Sequence, residues 1–206
     1  MLASVVGPEG LREQKKRQAR EALEKAALGL FEERGFEAST IKDIAGAAGM
    51  SPRTFFRYFA SKEDVVFSQP GEEFAVLKGL LSEEPVRPPL ETMKNVLMRF
   101  AEHLQSRPPE EIRLRAKLLA SSSSLRRRGA EEIETWGEEL ARDLAAREGV
   151  EVAPKHQLIA RVGLQAMVVA GTTWGGEEES SYPQRLTQMF DELESAFLEV
   201  RTEPTL

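Results

Sequence analysis

An all-α fold of nine or ten helices is what this sequence predicts, on three observations. Apolar residues recur at intervals of three and four through most of the 206 residues. No run alternates apolar and polar residues as a half-buried strand does, and no internal repeat is visible. Glycines and prolines stand where the periodic runs should stop and start.

Residues 1–10, with Gly7, Pro8 and Gly10, read as a loose arm. A long helix is expected from Leu11 or Arg12 to Gly35, with Leu23, Ala26, Ala27, Leu30 and Phe31 on one face. Phe36 leaves no room for another helix before Thr40, so it should plug a small core from its loop. Thr40 opens a short helix whose Ile41, Ile44, Ala45 and Ala48 share a face, and Gly49 closes it. Ser51 can cap the next helix, with Pro52 in its first turn, where a missing N–H costs nothing. That helix carries Arg53, Thr54, Arg57 and Tyr58 beside Phe55, Phe56 and Phe59. Ser61 and Asp64 then form a near capping box. Two short helices joined by a tight glycine-bearing turn make a helix-turn-helix, whose second helix fits the DNA major groove. Residues 1–68 are therefore one expected domain.

Residues 69–206 should form the second, built from longer helices. Phe74, Leu77, Leu80 and Leu81 mark one stripe, broken by residues 84–89. Met93, Val96, Leu97, Phe100 and Leu104 mark the next, ended by Pro108 and Pro109. Ile112, Leu114, Leu118 and Leu119 follow, and the serines from Ser121 to Ser124 can cap a helix over about 125–147. Pro154 opens an apolar helix to Trp174, stopped by Gly175 and Gly176. The last runs from Tyr182 to about Arg201.

Composition removes several function classes. No stretch approaches the roughly 20 apolar residues that span a bilayer, and no signal peptide is legible, so the expected compartment is the cytoplasm. The chain has no cysteine, and its two histidines, His103 and His156, lie far apart. Common metal motifs, cofactor fingerprints and a Ser/His/Asp set are absent, which argues against an enzyme. The net charge of −6 argues at first against nucleic acid, but it is unevenly placed. Residues 1–68 hold 11 Lys+Arg against 10 Asp+Glu, and the remainder 17 against 24. Arg12, Lys15, Lys16, Arg17 and Arg20 form a basic cluster countered locally by Glu13 alone. An acidic body with a basic arm suits a protein that touches DNA at one end.

The run STIKDIAGAAGMSPRTFFRYFASKEDVV, residues 39–66, resembles the DNA-binding signature of the TetR family of bacterial one-component regulators. The resemblance implies a sequence-specific DNA-binding regulator, a repressor released from a palindromic operator by a small hydrophobic inducer. It also implies a homodimer paired through its last two long helices. A non-specific architectural DNA binder is the alternative, though an acidic body disfavours it. No cofactor or metal is expected.

Chemistry assigns expected roles to the reading residues. Thr40 at a helix N-terminus should hold a phosphate, and Lys62 another across the groove. Ser51, Thr54 and Tyr58 supply hydroxyls, and Pro52 starts the helix that displays them. Arg53 can make a bidentate guanine contact, whereas Arg57 faces solvent or phosphate. The family commonly has tyrosine where Phe56 stands. Phe56 lacks that hydroxyl and should contact sugar or methyl groups, or turn inward. Arg126, Arg127 and Arg128 read as a solvated face.

In the second domain, an apolar inducer pocket is expected among Phe74, Leu77, Met93, Leu97, Phe100 and Leu118, with Trp136, Met167 and Trp174. His103, Gln165 and Thr173 are the polar groups that could orient a ligand. Gly163, Ala166 and Ala170 share one small-residue face. Leu186, Phe190, Leu193 and Phe197 repeat at near-heptad spacing, and these two stripes are the expected dimer interface.

Overall fold

The computed structural model describes residues 8–67, 70–174 and 181–202, without the side chains of residues 8, 9, 70, 109 and 197–202. The described residues form ten helices and no strand, in agreement with the all-α reading. The chain divides into two compact units, Met1–Ser68 and Gln69–Leu206.

The first unit holds α1 (Pro8–Arg34), α2 (Ile41–Ala47), α3 (Pro52–Phe55) and α4 (Glu63–Val66). The expected start of α1 at Leu11 or Arg12 is corrected to Pro8, since proline is tolerated in a first turn. Leu23, Ala27 and Phe31, spaced by four, bury one face of α1. Phe36 does plug the core from its loop, with its ring 5.0 Å from that of Phe31. Ile44 and Ala45 of α2, with Phe55 and Phe59 around α3, complete the core. Gly35 and Gly49 adopt φ of +85° and +67°, so each ends its helix in left-handed backbone that a side chain would strain. Buried Ser39 donates its hydroxyl to the carbonyls of Gly35 (2.9 Å) and Leu30 (3.3 Å), satisfying the end of α1.

The second unit holds α5 (Pro70–Glu83), α6 (Pro89–Leu104), α7 (Pro109–Ser121), α8 (Ser123–Glu148), α9 (Pro154–Trp174) and α10 (Tyr182–Thr202). Its core joins Leu77, Leu97, Phe100, Leu140, Leu164 and Phe190 from five helices. α6 and α9 approach closely at Gly163, where an added Cβ would lie 2.9 Å from Met93 Cγ and 3.0 Å from Leu97 Cδ1. Arg147 of α8 fastens the C-terminal end of α5, donating to the carbonyls of Leu81 (2.8 Å) and Pro85 (3.1 Å) and to that of Glu84. The Glu84 carboxylate is itself buried, and it accepts from Asn95 at 3.0 Å with Arg87 and Arg99 nearby. Gly175 and Gly176, the expected stop of α9, lie outside the described residues.

Candidate nucleic-acid interface

The reading surface is built on α2, the turn after it, and α3. Thr40 caps α2 in a full capping box. Its hydroxyl accepts from the Asp43 N–H at 3.2 Å and donates to Asp43 Oδ2 at 2.6 Å, and its N–H donates to the same oxygen at 3.1 Å. Those bonds hold the Asp43 carboxyl below its usual range, and Arg34 lies 3.5 Å away. The Thr40 hydroxyl proton, expected to serve a phosphate, is engaged inside the capping box in this arrangement. The pattern T-x-x-D, from Thr40 to Asp43, is the sequence signal for this capping box.

Ser51 caps α3 by accepting from the Thr54 N–H at 3.1 Å, with its oxygen 3.0 Å from the Thr54 hydroxyl. One hydrogen serves that hydroxyl pair, so the other is free to donate outward. Phe55 and Phe59 turn inward, 0% and 3% exposed, with ring centroids 5.5 Å apart. Arg53, Phe56 and Arg57 follow at i, i+3 and i+4 and share the exposed face. Phe56 is 56% exposed, so it does not turn inward. Arg57 Nη2 donates to Tyr58 Oη at 2.9 Å, which leaves the phenol's own proton for an external acceptor.

Ser61 and Asp64 exchange the two expected capping bonds, at 3.0 and 3.2 Å. Lys62 is placed differently from the expectation. Its ammonium donates to the carbonyls of Phe36 (2.9 Å) and Ser39 (3.3 Å) and stands 4.3 Å from the Phe36 ring centroid. Two of its three N–H bonds are thus spent inside the protein.

Comparison with known proteins gives the family. Residues 23–68 match the family described as bacterial regulatory proteins, tetR family, and residues 87–198 match the MftR C-terminal domain. Over 155 residues the chain is 34% identical to the HTH-type transcriptional regulator TcmR of Streptomyces glaucescens, covering 71% of this chain and 67% of that one. The chain belongs to the tetR family. It is also 28% identical over 161 residues to the HTH-type transcriptional repressor KstR of Rhodococcus jostii, covering 78% and 73% of the two chains. A solved putative TetR-family regulator from Syntrophomonas wolfei shares the fold, with a TM-score of 0.62 at 15% identity over 88% of this chain and 95% of that one.

The larger unit of this tetR-family chain departs from the expected inducer pocket. Leu77, Met93, Leu97, Phe100, Leu118, Met167 and Trp174 are all buried. His103, Gln165 and Thr173 are exposed, and the Thr173 hydroxyl donates to Val169 O at 2.7 Å in its own helix. At Gly163 α6 packs closely on α9, through Met93 and Leu97 of that expected wall. Phe74 and Trp136 of the expected wall border open volume. Their rings stack at 5.1 Å and line a groove of about 400 Å³ with Gly71, Arg128, Glu131, Glu132 and Thr135. Arg128, read as a plain solvated residue, is therefore part of a concave wall. Beside it, Glu73 pairs with Arg107, and burial raises the Glu73 carboxyl above its ordinary range. No described helix is long and apolar enough to cross a membrane.

The expected dimer stripes are corrected as well. Gly163, Ala170, Leu186 and Phe190 are buried in the chain's own core, with Ala166 half-buried against it. The near-heptad run of α10 packs on α6 and α9 of the same chain. Leu193 is half-buried, and the side chain of Phe197 lies outside the described residues. What α9 leaves outside the core instead is exposed Leu158, Gln165 and Val169 with half-buried Val162 and Thr172, a run at spacings of four, three, four and three. Leu158 is 64% exposed and Val169 37%. That spacing is the 3.5-residue period of a helix seam.

Proposed function

We propose that the chain is a homodimeric repressor that reads a palindromic operator and is released by a small hydrophobic inducer. The observation that carries this reading is the exposed face of Arg53, Phe56 and Arg57, braced from behind by Phe55 and Phe59. Arg53 has the donors for a bidentate guanine contact and makes no ion pair among the described residues. Tyr58 and one hydroxyl of the Ser51–Thr54 pair supply protons to flanking phosphates, which set register without reading sequence. The exposed seam of α9 supports pairing of two chains, and a dimer doubles the base contacts that one short helix offers.

The groove beside Phe74 and Trp136 supports an inducer with an aromatic or alkyl body. Binding there favours an arrangement whose two heads no longer match successive major grooves, roughly 34–36 Å apart. The ligand can shift that equilibrium only by its differential affinity for the two states.

Selection from a pool of random duplex by the full chain tests the reading. The enriched sequences should be inverted repeats whose half-site centres lie one helical turn, or a multiple of it, apart. Enrichment of nothing beyond general base composition would leave the architectural alternative instead.

A further inference from the structure

Phe56 occupies an unusual place for its residue type. The rings of Phe31, Phe36, Phe55, Phe59, Phe100 and Phe190 are all buried, whereas Phe56 keeps 56% of its surface in water. It is not loose. Its ring stands edge-on to buried Phe55, with centroids 5.7 Å apart at 88°, the favoured geometry for two aromatic rings. Arg53 and Arg57 flank it on the same exposed face. An apolar ring held against Phe55 on a face that also bears two arginines matches a surface that is polar and anionic overall and apolar at one point.

The floor of the DNA major groove has that character. Guanine presents two acceptors there, phosphates line the rim, and the thymine C5-methyl is the apolar group on the base edges. Phe56 has no hydrogen-bonding atom, so it gains nothing from a phosphate oxygen. We infer that Phe56 is a specificity-determining residue that reads one thymine methyl in each half-site, next to the base read by Arg53. This rests on the DNA-reading function proposed above and adds to it the base class recognised by one residue.

Deoxyuridine tests this directly, because it pairs as thymidine does and lacks only the methyl. Each thymine of a selected operator is replaced by deoxyuridine in turn, and affinities of the wild-type chain, Phe56→Ala and Phe56→Leu are compared at one salt concentration. At one thymine per half-site the wild type should lose about fourfold, the equivalent of about 0.8 kcal/mol for one buried methyl-sized group. Phe56→Ala should bind that same substituted duplex no worse than the unsubstituted one, and Phe56→Leu should retain part of the discrimination. If no replacement weakens the wild type, or every replacement weakens wild type and Phe56→Ala equally, the inference is overturned while sequence-specific binding stands. A selected site with no fixed thymine overturns it too. A chain that selects no sequence removes the functional reading itself, and this inference with it.

Discussion

The Lys62 ammonium donates to the Phe36 carbonyl at 2.9 Å, across twenty-six positions of chain. The same group bonds Ser39 O and sits over the Phe36 ring, so one side chain ties the start of α4 to the loop between α1 and α2. That loop delivers Thr40 and α2, hence the base on which α3 is mounted. In this arrangement the lysine braces the loop that leads into α2.

Lys62→Ala should therefore destabilise the first unit by roughly 2 kcal/mol, the usual range for hydrogen bonds from a charged donor. Chemical denaturation followed by circular dichroism measures it. DNA affinity should fall while the slope of log affinity against log salt changes by much less than about 0.9, the loss of one phosphate contact. A slope change of that full size with unaltered stability would assign the ammonium to phosphate.

Asp43 gives the first unit a definite pH dependence. Its carboxyl is held low by the Thr40 hydroxyl, then by the Thr40 N–H and the charge of Arg34. A depressed folded-state pKa contributes stability above the unfolded value, near 3.9, and loses it as pH falls through the folded value. Wild type should exceed Asp43→Asn in stability at neutral pH. The gap should close below about pH 4. A gap independent of pH would show that the carboxylate charge plays no part.

The α9 seam makes the interface testable residue by residue. Val169→Glu places two like charges near each other across a two-fold axis, which is costly once they are desolvated. The variant should sediment as a folded monomer and lose operator affinity, although the first unit is untouched. Phe190→Glu, by contrast, buries a lone charge in the core and should unfold the chain, as seen by loss of helical ellipticity. A Val169→Glu chain that stays dimeric with full affinity excludes this face.

These elements show how far the sequence carried the account. Helix positions were legible because Pro52, Pro89, Pro109, Gly35 and Gly49 mark ends through local backbone chemistry. The inward turn of Phe55 and Phe59 follows from their spacing of four, which puts both on one helical face. The fate of an apolar stripe was not. The run at Leu186, Phe190 and Leu193 reads the same whether its partner helix belongs to the same chain or another, and contacts with α6 and α9 decided it. The roles of Lys62 and Arg147 were hidden for a related reason: both bond backbone carbonyls distant in sequence, and a carbonyl leaves no mark on residue type. Thr40 differs, since its partner Asp43 was visible three residues away.

The central claim is that the face carrying Arg53 reads base sequence. Its most direct test is the affinity of the full-length chain for duplex flanking its own gene against shuffled duplex of equal composition, at one salt concentration. A ratio of about a thousandfold or more is expected. Arg53→Ala should lose roughly 1–3 kcal/mol on the specific duplex, relax the preference at one base position, and bind shuffled DNA almost as well as wild type does. Equal wild-type affinity for the two duplexes, or an Arg53→Ala loss of the same size on both, would contradict it.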